Sequence, residues 1–114
     1  MGAHLKTSWY YILLSLASED RHGLGIAREV LTLSDGQVRL WPASLYGALE
    51  ALHDRGWIEE LTDPRRRPQD ESERKRYYRI TRAGRSAAAA ETARLAALVR
   101  VARSRVKPRT GETS

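Results

Sequence analysis

Seven cations fall between residues 65 and 79: Arg65, Arg66, Arg67, Arg74, Lys75, Arg76 and Arg79. Guanidinium groups hold phosphate oxygens through paired, charge-assisted hydrogen bonds, so such a cluster suits phosphate or minor-groove contact. A second set precedes it, in WPASLYGALEALHDRGWIEE at residues 41–60. Leu45, Ala48, Leu49 and Leu52 recur there at i, i+3, i+4 and i+7, which makes one apolar stripe on a helix. Ala43 and Gly47 face away from that stripe, and Ser44 and Tyr46 lie on its flanks. Small residues let backbone approach base edges, polar groups read those edges, and helix amides favour a phosphate. Each set has a plainer reading as well. The helix suits an ordinary surface element, and the cation run suits a solvated loop partly neutralised by Asp70, Glu71 and Glu73. Glu50 and Asp54 also face outward and repel phosphate: either only the first turn of this helix enters a DNA groove, or Glu50 accepts from a cytosine amine, or, more plainly, both are solvated surface charges.

Other chemistry finds little support. The chain has no cysteine, which excludes disulfides and thiol nucleophiles. His4, His22 and His53 are scattered without an i, i+4 pair, so no metal site is expected. No Ser/His/Asp spacing, phosphate loop or carboxylate pair stands out, so neither catalytic residues nor a cofactor are expected. Trp9, Tyr10 and Tyr11 are candidates to line a small-molecule pocket, or are plain core.

The charge is unevenly spread. Twenty basic and 14 acidic residues give a net +6. Residues 1–40 balance to zero, residues 41–60 carry −3, residues 61–82 carry +4 and residues 83–114 carry +5. A positive second half suits nucleic acid. At 114 residues there is room for one domain with a modest core, which a dimer would extend. The longest apolar run, Trp9 to Ala17, is too short to span a bilayer and lacks the flanks of a signal peptide, so a soluble cytoplasmic protein is expected.

The elements follow from periodicity and punctuation. Thr7 or Ser8 caps a first helix that is apolar nearly all round. Glu19, Asp20 and Arg21 read as a polar turn. A second helix runs from about His22 to Leu33, with Leu24, Ile26, Ala27, Val30 and Leu31 inside, and Gly23 and Gly25 there for close packing. Val38 to Leu40 suits a short strand. Pro42 opens the third helix and Gly56 ends it. Trp57–Thr62 and Arg76–Thr81 read as two antiparallel strands around an exposed charged loop. Thr81 caps a last helix running to about Arg105. Its stripe of Leu95, Leu98, Val99, Ala102 and Val106 is more than so small a domain can bury alone.

Three helices, a two-stranded hairpin and a helix make an α+β, mostly α chain with a winged helix-turn-helix. Residues 1–81 form the DNA-binding part, residues 82–106 the dimerisation helix and residues 107–114 a disordered tail. On this reading Ala43, Ser44, Tyr46 and Gly47, with the wing cations Arg65, Arg66, Arg67, Arg74, Lys75 and Arg76, face double-stranded DNA. The alternative is a winged helix that binds a protein, which the net-negative third helix favours.

Residues 8–104 resemble the PadR family of bacterial transcriptional regulators. The resemblance rests on RHGLGIAREV, on PASLYGALEALHDRGWIEE and on RKRYYRITRAGR. It implies a homodimer joined through the last helix. It implies operator binding, usually repression, and often release by a small-molecule effector. It also implies that Ser44, Leu45 and Tyr46 occupy the reading end of the third helix. The chain departs from the family in two places. Glu50 stands where many members have a basic residue, and the last helix carries no aromatic residue. The single C-terminal helix resembles the compact branch of the family.

Overall fold

A computed structural model describes residues 5–61 and 76–107. Its elements are α1 (Thr7–Ser18), β1 (Arg21–His22), α2 (Gly23–Leu33), α3 (Pro42–Asp54), β2 (Ile58–Leu61), β3 (Tyr77–Ile80) and α4 (Arg82–Arg105). The order is that of a winged helix-turn-helix followed by one long helix.

The core is built where the apolar periodicities converge. Ile12, Leu13 and Leu16 of α1 meet Ile26 and Val30 of α2 and Leu45, Leu49 and Leu52 of α3. Ile58, Tyr78 and Ile80 close it from the sheet, and Ala88 closes it from α4. The stripe expected on α3 is therefore the buried one, with Ala48 partly buried beside it. Ser15 is also fully buried in α1, and its hydroxyl donates to the Ile12 carbonyl, so no polar group is stranded there.

Four details differ from the sequence expectation. The sheet has three strands in the order β1-β3-β2, because Arg21 and His22 pair with Tyr78 and Tyr77. A two-residue strand leaves no local pattern; only the free edge of β3 creates it. His22 then caps α2, accepting the Gly25 amide on Nδ1 at 3.2 Å. Leu24, expected inside, is 53% exposed. The buried stripe of α2 runs through Gly23, Ile26 and Val30 instead. Gly23 takes that place because a Cβ there would lie 2.6 Å from the Tyr46 hydroxyl. Val38–Leu40 forms no strand, since the Val38 amide is satisfied by the Ser34 hydroxyl at 2.8 Å. Helix α1 begins at Thr7, so Lys6 occupies the N-cap without a side-chain bond.

Two glycines join α3 to α4. Gly56 has φ of 76° and lets the Trp57 amide turn back to the Leu52 carbonyl at 3.0 Å, which closes the end of α3. The Thr81 amide donates to the Trp57 carbonyl at 3.0 Å, and the Thr81 hydroxyl donates to the Gly56 carbonyl at 2.6 Å. Thr81 Oγ1 also accepts from the Gly84 amide, capping α4 as its sequence suggested. A Cβ on Gly84 would lie 2.1 Å from the Trp57 carbonyl oxygen.

Opposite effects are therefore expected from two glycine-to-alanine changes. Gly84→Ala forces backbone apart and should cost about 1–3 kcal/mol. Gly47→Ala, in a helix with nothing within 4 Å of the new Cβ, should gain roughly 0.5–1 kcal/mol. Thermal or denaturant unfolding of the two variants checks both signs. Tyr78 gives a pH test. Burial pushes its phenol above the usual value of 10.0, with Arg76 pulling the other way. The unfolded chain then releases the proton first, so stability falls as pH rises past the unfolded value. Tyr78→Phe should flatten the decline in Tm above about pH 10.

Candidate nucleic-acid interface

Helix α3 opens without the usual polar cap. Trp41 occupies the N-cap, offers no side-chain acceptor, and Pro42 follows in the first turn. The first backbone bond of the helix runs from the Leu45 amide to the Trp41 carbonyl at 2.8 Å. The amides of Ala43 and Ser44 are thus left without a capping side chain at the positive end of the helix dipole.

The exposed surface of this end is small. Ala43, Ser44 and Gly47 are all exposed, and the space beyond Gly47 is open. Tyr46 is 46% exposed, with its hydroxyl lying over Gly23. The ring is therefore held at one edge by α2 and offered to solvent at the other. Further along, Glu50, His53 and Asp54 are exposed on the same outer side. The negative part of α3 lies behind its first turn.

An open cleft of about 350 Å³ separates α3 from the strands, with Tyr46, Leu49 and Glu50 on one side and Glu60, Arg76 and Tyr78 on the other. Arg76 forks onto Glu60, Nε to Oε2 at 2.9 Å and Nη2 to Oε1 at 2.8 Å. The paired carboxylate raises the Arg76 pKa above its ordinary value. Arg79 pairs with Glu59, its directly opposite residue across the ladder. Both arginines at the base of the wing are thus internally neutralised, a feature that counting cations along the sequence does not reveal. The other wing cations, Arg65, Arg66, Arg67, Arg74 and Lys75, lie outside the described residues.

The three aromatics of α1 part company. Trp9 meets Trp57 edge-on at 6.3 Å, and Arg55 lies over both rings. The Tyr10 hydroxyl shares a hydrogen bond with Thr92 of α4 at 2.7 Å. Tyr11 packs against the core. Consecutive helical residues point about 100° apart, so each tethers α1 to a different neighbour.

At roughly 1.5 Å per residue, the 24 residues of α4 span about 36 Å. Its first half packs on α1 and the core through Gly84, Ala88 and Thr92. Leu95 is half-buried, whereas Leu98, Val99, Ala102 and Val106 are exposed, Val106 by 78%. Val101, outside the expected stripe, is exposed too. Among the described residues, no helix is long and apolar enough to cross a membrane.

Comparison with known proteins agrees with this architecture. The model of the transcriptional regulator PadR-like family matches residues 12–90. A transcriptional regulator from Clostridium thermocellum superposes with a TM-score of 0.70 at 24% identity, over 88% of this chain and 90% of that one. A PadR family transcription regulator from Clostridium difficile R20291 gives a TM-score of 0.70 at 18% identity, over 87% and 97% of the two chains. BldR from Sulfolobus solfataricus gives 0.68 at 20% identity, over 90% of this chain and 64% of that one. A comparison with curated proteins finds no match. With the family model covering more than half of its length, and with the fold of its structural neighbours, the chain belongs to the PadR-like family of transcriptional regulators.

Proposed function

We propose that the chain is a dimeric, sequence-specific DNA-binding repressor, released from its operator by a small-molecule effector. The observation that carries this reading is the entering end of α3. Its outer face is bare at Ala43, Ser44 and Gly47, its amides are uncapped, and Tyr46 flanks it. Such an end admits bases closely and places a phosphate on the helix dipole. The wing loop cations add contacts to the DNA backbone. The exposed half of α4 supplies the dimer contact, since a second copy of Leu98, Val99, Ala102 and Val106 covers the first. The complex structure of hsRosR-S4, a similar protein, superposes with a TM-score of 0.58 at 24% identity, over 92% of this chain and 77% of that one. An effector acts if it prefers the DNA-free state, and Trp9 meets Trp57 just after α3, Tyr10 meets α4, and Tyr11 packs against the core.

Selection of bound genomic fragments, followed by salt titration of the best one, tests DNA binding. If each dimer neutralises about 6 to 10 phosphates, affinity should drop roughly 10³- to 10⁵-fold between about 50 and 200 mM salt. Arg65, Arg66 and Arg67 changed together to alanine should flatten that slope for all sequences alike. Salt-independent or absent binding would favour the protein-binding alternative.

Neighbouring residues of α3 should separate in their effects. Leu45→Ala leaves a core cavity and should cost about 2–5 kcal/mol. Tyr46→Ala and, more mildly, Ser44→Ala should keep the fold and weaken operator binding. Melting curves beside binding to operator and scrambled duplexes check this. Leu98→Asp should turn the dimer into a folded monomer, read by sedimentation, because its charge would be buried unpaired at the interface.

A further inference from the structure

A second surface beside α3 has a different character from the wing cleft and shares no lining residue with it. It is a shallow groove of about 160 Å³, lined mainly by Leu24 and Leu31 of α2 and by Leu40 and Trp41 just before α3, with Arg28 and Arg39. Trp41 is 64% exposed and is the N-cap of α3, so the groove adjoins the end that meets DNA in the proposed reading. The Arg39 guanidinium lies over the Trp41 ring, 5.5 Å from its centroid. Within the winged helix, Arg21, Arg76 and Arg79 each hold a carboxylate. Arg28 and Arg39 are exposed and hold none among the described residues. Two uncompensated cations of the described winged helix, Arg28 and Arg39, therefore border this groove, while Lys6 and Arg55 lie over the Trp9 ring and the wing-base arginines are paired.

We infer that this groove seats the phosphodeoxyribose backbone of one DNA strand, next to the major groove entered by α3. The inference rests on the DNA-binding reading and adds Arg28, Arg39 and Trp41 to its contacts. A DNA strand alternates anionic phosphates with apolar sugar faces. Two uncompensated guanidiniums bordering leucine and indole surface match that alternation. The uncapped amides of Ala43 and Ser44 continue the anion-binding surface from Trp41 into α3. This continuity favours a DNA strand over an acidic, apolar segment of another protein. Contacts of this kind place the helix on the duplex without reading sequence.

The test uses the full chain and the genomic fragment it selects. In a dimer, Arg28→Ala with Arg39→Ala removes four cations. With slopes of about 0.9 per phosphate, the salt dependence should fall by roughly 3.6 in log–log slope. Affinity should fall in parallel for operator and scrambled duplexes. Trp41→Ala should weaken binding with the slope unchanged, because a sugar contact is uncharged. Arg39→Lys, tested alone, should keep the wild-type slope, since a lysine still neutralises a phosphate. Methylphosphonates at the flanking phosphates should make wild type and the double variant bind alike. Melting temperatures close to wild type confirm that these exposed residues act on DNA and not on folding. If wild type binds no DNA, the functional reading itself fails, and the seat with it. If wild type binds with steep salt dependence and the double variant keeps the same slope and affinity, the seat is overturned while the functional reading stands. A protein segment then remains as the occupant of the groove.

Discussion

The contact between the Trp57 carbonyl and Gly84 is the constraint on which the rest of the arrangement depends. A Cβ at position 84 would stand 2.1 Å from that oxygen, so the first turn of α4 lies directly against the backbone that leaves α3. Thr81 binds both carbonyls of the same corner, at Gly56 and Trp57, and caps α4 as well. Two backbone segments, residues 56–57 and 81–84, thus meet with backbone against backbone at Trp57 and Gly84. The direction of α4 is therefore set by the end of α3. In a dimer built on α4, the separation and tilt of the two α3 helices are fixed by this corner as much as by the helix–helix contact.

The electrostatics run against a simple count of cations. The basic second half of the chain invites a reading in which every wing arginine meets phosphate. Glu59 and Glu60 instead hold Arg79 and Arg76 across or along the sheet. Exposed pairs of this kind contribute little to stability, commonly below about 1 kcal/mol. Their larger effect is on the surface field. They hold down the positive potential beside α3.

The parts of the fold that the sequence makes legible are those with a repeating local cause. Leu45, Leu49 and Leu52 declare a buried stripe by spacing alone, and Gly56 and Thr81 punctuate helices in ways that need no distant partner. The outward placement of Ala43, Ser44 and Gly47 follows from the same wheel. What the sequence hides depends on meetings between distant residues. Strand β1 exists because β3 has a free edge, and Leu24 faces outward while Gly23 is the residue that lies beneath Tyr46. The glutamate–arginine pairs across the strands are likewise written in register, not in composition. Trp41 at the N-cap of α3, its contact with Arg39 and the groove beside them are also products of the fold and not of the one-dimensional pattern.

The two-residue strand β1 has an effect out of proportion to its size. It stitches the start of α2 to β3, the strand whose other edge carries β2. The helix-turn-helix and the base of the wing are thereby riveted into one plate, and α3 cannot swing relative to the strands without tearing both edges of β3. A regulator made this way meets its target as a rigid stamp. In the proposed dimer, adjustment to different spacings on a duplex falls to the hinge between two such stamps, the meeting of the two α4 helices.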